Sequence, residues 1–211
     1  MTLLTFNLEK NFMDRQIFEK AKQYALQRLE TELSSGLSYH NLMHTTTDVV
    51  PATEKLATGE GIQGEPLDLL LTAAWFHDLG FVEARDGHEM IAARIALEVL
   101  PGLGFSNEQI QTVRSIILAT VLPQSPQTIL EQIMADADLD VLGRDDFMLR
   151  NGNLRRELAA FGQEFTDWQW FSDQLRFLEI HAYFTASARA LRDAGKAKNV
   201  ATLKRKLEEM K

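Results

Sequence analysis

No cysteine occurs among the 211 residues. A disulfide framework, a thiol nucleophile and any Cys-ligated zinc or iron–sulfur site are thereby excluded, so a metal here must rest on His, Asp or Glu. Long apolar runs are missing too: nothing approaches the ~20 residues needed to span a bilayer. The first residues, MTLLTFNLEKNFMD, lack the basic start, apolar stretch and small-residue cleavage site of a secretory signal. No membrane association is expected, and the cytoplasm is the expected compartment. Basic charge is in deficit, with 22 Lys plus Arg against 30 Asp plus Glu and a formal net charge of -8. That balance argues against a nucleic-acid-binding surface, which needs a basic face. It leaves room for a small phosphorylated substrate, because a bound cation can reverse the local sign.

What is present is a soluble globular composition, 45% hydrophobic and 25% charged, which excludes disordered and collagen-like chains. The length can bury a substantial core without disulfides. The hydrophobic period is helical nearly throughout. Ile17, Ala21, Ala25, Leu29 and Leu33 form the stripe of an amphipathic helix from Asp14 to Leu33, ended by Gly36. A second helix is predicted from about Asn41 to Ala57, kinked or divided at Pro51. After the turn-rich GEGIQGEP, Pro66 suits the first turn of LDLLLTAAWFHDLG, a helix apolar on nearly all sides and stopped by Gly80. Three further helical stretches follow: GHEMIAARIALEVL, SNEQIQTVRSIILATVL and PQTILEQIMADADLDVLG. Ser106 and Gln109 resemble a capping box. The segment DWQWFSDQLRFLEIHAYFTASARALRDAG carries an aromatic stripe, and AKNVATLKRKLEEMK reads as a separate, exposed helix. No alternating strand pattern and no repeat emerge. The expected class is all-α, with a helical domain over 1–150 and a carboxy-terminal helical extension, 151–211, packed on it as one unit. That extension is expected to lid a pocket or to pair two chains as a homodimer.

The chemistry concentrates in three places. His40 and His44 in YHNLMH are four apart, so on a helix they share a face and can share a divalent ion. His77 and Asp78 close the most apolar helix. An ionised Asp beside TAAWF is costly to bury without a cation or hydrogen bonds. In MADADLDVLG, Asp136, Asp138 and Asp140 turn through about 200° per step of two, so they cannot share one face, and at least one should point inward.

This ordered set of His, then His-Asp, then Asp on successive helices resembles the HD-domain superfamily of metal-dependent phosphohydrolases. The matching segments are LMHTTTDVV, AAWFHDLGF and IMADADLDVLG, covering about Tyr39 to Asp146, with GHE at 87–89 and ILATVLP at 117–123 resembling intervening segments. The resemblance implies an HD-type helical bundle and metal ligands His44, His77, Asp78 and an Asp of ADADL. Either Asp136 or Asp138 matches that last position; Asp136, directly after the apolar IMA, is preferred. His40 would be an outer ligand or touch the substrate. His88 stands where two-metal members place a further His, yet the His-His pair such members carry is missing between His88 and Asp136, which weakens the dinuclear reading.

The implied activity is hydrolysis of a phosphoester or phosphoanhydride in a small molecule, most plausibly a nucleotide. The ion would polarise phosphorus and acidify bound water. Asp138, His88 or Glu89 would orient or deprotonate that water, and Arg85 and Arg144 are candidates for the phosphate because guanidinium matches its oxygens. A His/Asp site suits manganese, magnesium, iron, cobalt or nickel. The alternative functions are a nucleotide-sensing or interaction module that keeps the metal site but turns over slowly, and a diiron oxygenase, against which the shortage of histidines counts. His181, among Phe177, Leu178 and Phe184, reads as a core or interface histidine.

Overall fold

The computed structural model describes residues 2–211, with side chains from residue 15 onward. Among these residues the structure is all-α and contains no strand. Its helices are α1 (Thr2–Glu32), α2 (Val50–Gly59), α3 (Glu65–Phe76), α4 (His88–Leu103), α5 (Asn107–Leu118), α6 (Ile129–Asp138), α7 (Phe147–Ala160), α8 (Asp167–Ile180) and α9 (Ala186–Glu208). No helix among the described residues is long and apolar enough to cross a membrane.

Helix α3 is the axis of the molecule. Every residue from Leu69 to Phe76 is buried, and α1, α2, α5 and α6 pack around it. A helix apolar all round has nowhere to go but the interior, so its carboxy-terminal end, where His77 and Asp78 sit, is carried inside as well. The Ser106–Gln109 capping box is formed, and a second joins Thr128 to Glu131 at the start of α6. Each satisfies otherwise free N–H groups and fixes where its helix begins.

One expectation is refined and two are corrected. The helical stretch expected over residues 41–57 is present and divided ahead of Pro51: it begins at Leu42, just after His40, residues His44–Val49 make a widened π-helical segment, and α2 starts at Val50 with Pro51 in its first turn. Proline cannot donate to the turn before it, and the Val50 N–H accordingly reaches back five residues to the Thr45 carbonyl. The aromatic segment is not continuous either. Helix α8 ends at Ile180, residues 181–185 are not helical, and Thr185 caps α9 by accepting from the Ala188 N–H. Finally, the last 15 residues are no separate exposed helix. They continue α9, which runs through Gly195 and buries Asn199, Leu203 and Leu207. One hydrophobic cluster contains Leu70, Ile117 and Met134 together with Leu178 and Leu203, so the core crosses the expected boundary at residue 150 without a break.

Candidate metal centre and its cavity

Four side chains meet where α3, α6 and the π-helical segment converge. The widened segment begins at His44, His77 follows the last residue of α3, Asp78 comes next, and Asp138 ends α6. The His44 Nε2 lies 3.4 Å from Asp138 Oδ1 and 3.6 Å from Asp78 Oδ2. The His77 Nε2 lies 3.3 Å from Asp78 Oδ2 and 3.7 Å from Asp138 Oδ1. The donor atoms of His44, His77 and Asp138 all lie within 4.8 Å of one another, a spacing that suits a shared ion, and Asp78 Oδ2 borders both histidines.

The donors are also aimed and unspent. The His77 Nδ1 sits 2.8 Å from the Ala74 carbonyl, which fixes that nitrogen as the N–H and turns the bare Nε2 lone pair toward the cluster. His44 Nε2, His77 Nε2 and Asp78 Oδ2 are buried and lack any hydrogen-bond partner within the chain. Leaving one such atom unpaired costs about 1–3 kcal/mol, so three facing one another call for a cation. With no ion bound, burial opposes the charge on His77, but the adjacent Asp78 carboxylate outweighs it and raises the imidazole pKa to about 9. Burial would raise Asp78 in turn, yet His77 beside it holds that carboxyl far below its usual range.

Asp136 does not belong to this cluster. Two residues back on α6 its side chain points the other way, accepting hydrogen bonds from the Phe184 N–H at 2.8 Å, the Thr185 N–H at 2.8 Å and the Thr185 hydroxyl at 2.7 Å. It anchors the start of α9, and Asp138 takes the position for which Asp136 was preferred. The third carboxylate, Asp140, is paired with Arg192. Arg144 is likewise committed elsewhere, held between Asp48 and Asp146 at 2.7 Å from each. The Arg85 guanidinium lies over the Phe161 ring and outside the cavity lining.

A cavity of about 350 Å³ opens beside the cluster, and Asp78, Asp138, His88, Glu89 and His40 line its near end. His88 reaches the site because Gly80 has no side chain. A Cβ there would fall 1.9 Å from the His88 carbonyl oxygen, so bare backbone lets the turn after α3 touch the first turn of α4. The His88 Nε2 then lies 3.6 Å from Asp78 Oδ1, while its Nδ1 faces the Arg85 carbonyl at 3.1 Å.

His40 stacks on Phe81 and is held by a residue that sequence reasoning missed. Glu157, fully buried on α7, accepts from the Tyr39 and His40 N–H groups at 2.7 and 2.9 Å and lies 2.5 Å from His40 Nδ1. Burial would raise the carboxyl and lower the imidazole, but their mutual hydrogen bond prevails in both, so Glu157 titrates below its ordinary range and His40 above. Nothing local signals this role: a Glu after two arginines in LRRELAA reads as a solvated face. The far end of the cavity is apolar, with Leu139, Leu142, Phe147, Leu158 and Phe177, and carries Asn151 and Gln174. His181 lies apart from the site, packed on Phe177 and Tyr183.

Comparison with protein-family models finds no match, and neither does comparison with curated proteins. Solved structures do match. A Lactobacillus plantarum protein aligns over 92% of this chain and 97% of its own, with a TM-score of 0.64 and 21% identity. Bacillus subtilis YpgQ, solved in complex with ADP, aligns over 94% of this chain and 97% of its own, again with a TM-score of 0.64 and 21% identity. The chain therefore shares its all-helical fold with these two proteins along nearly its whole length.

Proposed function

We propose that this chain is a metal-dependent phosphohydrolase of the HD superfamily acting on a nucleotide. One observation carries the reading: buried imidazole and carboxylate donors, unpaired and convergent, stand at the end of a cavity large enough for a small molecule. The ADP complex of YpgQ, a protein of the same fold, supports a nucleotide as the ligand class.

His44, His77, Asp78 and Asp138 would hold a divalent cation. Such an ion supplies Lewis acidity toward a phosphate oxygen and makes water a competent nucleophile near neutral pH. The remaining roles belong to the chain. His40, with Nδ1 fixed on Glu157, presents Nε2 as the nitrogen that gives a proton to the leaving oxygen. His88 and Glu89 border the same end of the cavity and orient water there. Apolar walls beyond them exclude bulk water and strengthen each of these interactions.

The test compares protein purified without chelator with its Asp138→Asn and Asp136→Asn variants, for metal content and for phosphate release from a nucleotide panel with manganese. Asp138→Asn is expected to lose bound metal and at least about 100-fold in rate. Asp136→Asn is expected to keep its metal and melt at a lower temperature. Wild-type protein that takes up no metal after loading, or an Asp138→Asn variant that retains it, overturns the proposal. Nucleotide binding without turnover would favour a sensing module instead.

A further inference from the structure

The far end of the cavity holds a hydrogen-bonded relay whose direction is set from outside. The buried Trp170 indole can only donate. Its Nε1 lies 2.6 Å from Asn151 Oδ1, so the Asn151 oxygen must face the indole and its NH2 must face away. That NH2 donates to Gln174 Oε1 at 2.5 Å. The carbonyl of Gln174 is thereby turned toward Asn151, and its own NH2 has no hydrogen-bond partner among the described residues. Asn151 and Gln174 line the cavity, whereas Trp170 lies behind it. Around them stand Phe147, Leu154, Leu158 and Phe177, walls suited to a flat, apolar ring.

We infer that Gln174 is a specificity-determining residue which reads the base edge of the substrate with its unpaired N–H donors, favouring a ring carbonyl over an amino group. The inference rests on the nucleotide reading above. A base with a keto oxygen at that edge completes the relay, while an amino group meets donor with donor and leaves both unpaired inside an apolar chamber. A site built for one hydrogen-bonding pattern discriminates strongly against a ligand that cannot supply it. Asn151 and Trp170 act as positioning residues, since they decide which end of the Gln174 amide faces the ligand.

Two base pairs isolate the effect, because hypoxanthine and adenine, like uracil and cytosine, exchange a keto for an amino group at one ring position. Calorimetric dissociation constants for inosine, adenosine, uridine and cytidine diphosphates are measured with manganese present, and hydrolysis of the same four is followed separately. The wild type should bind the inosine and uridine forms about tenfold or more tighter than their amino counterparts. Gln174→Glu replaces the exposed donor with an acceptor and should invert that ratio. Asn151→Asp presents a second acceptor to Gln174, forces its amide to turn over and should also invert the ratio, although residue 174 is unchanged. A merely structural Asn151 would shift all four constants alike.

Discrimination that is absent in the wild type, or unchanged in both variants, overturns the inference even if all four nucleotides are hydrolysed. Keto-selective binding without hydrolysis supports the inference and overturns the phosphohydrolase reading. Absence of both binding and hydrolysis overturns both.

Discussion

Asp136 and Asp138 differ by two positions and have unrelated tasks. Two residues on an α-helix are about 200° apart, so one carboxylate faces α9 and the other faces the two histidines. Both are buried or half-buried acids, and only the partners on each side distinguish a helix anchor from a candidate metal ligand. Glu157 makes the same point with His40. Its lowered pKa means that its stabilising effect is present above its ordinary value of 4.5 and fades as pH falls through the lowered one. The raised pKa of His40 means that its effect is full below 6.5 and fades as pH rises through the raised value. The pair is therefore worth most between pH 4.5 and 6.5. In chelator-treated protein the melting temperature of Glu157→Gln should fall furthest below wild type in that window, by the equivalent of about 1.5–3 kcal/mol, and the gap should narrow on both sides. A gap that is flat with pH would mean that the two groups do not share a proton.

Helix α9 is held by backbone contact as much as by side chains. A Cβ on Gly195 would lie 2.0 Å from the Gly143 carbonyl oxygen, and one on Gly143 would lie 2.5 Å from that of Arg192. The helix thus rides directly on the short 3₁₀ turn at residues 140–143, close enough for Arg192 to reach Asp140 and for Asn199 to donate to the Leu142 and Arg144 carbonyls, each at 2.9 Å. This contact also explains why a glycine lies inside the helix: the close approach offsets the roughly 1 kcal/mol that glycine costs there. Gly195→Ala should gain helix propensity yet lose about 1–3 kcal/mol overall from the forced separation. A thermal melt equal to or above wild type would show that the two backbones part freely.

At the scale of the whole chain, the carboxy-terminal third completes the fold. Without residues 184–208, Asp136 loses its three donors and Asp140 its guanidinium, leaving buried acids next to an apolar core. A chain ending at residue 150 also loses Leu178 and Leu203 from the common cluster and Glu157 from His40. Such a fragment should show no cooperative melt by circular dichroism, and one that melts cooperatively and stays monomeric in gel filtration would establish an independent amino-terminal domain.

The all-α class was legible because a 3.6-residue period needs no tertiary information, and α3 declared its burial by having no polar face. His77 and Asp78 were legible as candidates because ionisable groups beside apolar helix segments are expensive anywhere, and His44 through its spacing from His40 and the family resemblance. The choice between Asp136 and Asp138 was not, since helical phase says only that they diverge, and which direction leads to the histidines depends on where α9 docks. The roles of Glu157, Asn151 and Gln174 were hidden for a related reason. Each is an ordinary polar residue on a mixed helix, and its chemistry comes from a partner brought near only when α7 and α8 close over the cavity. Local periodicity determined the elements and marked the costly residues; long-range packing decided which of those residues meet, because a carboxylate's task is set by what neutralises it.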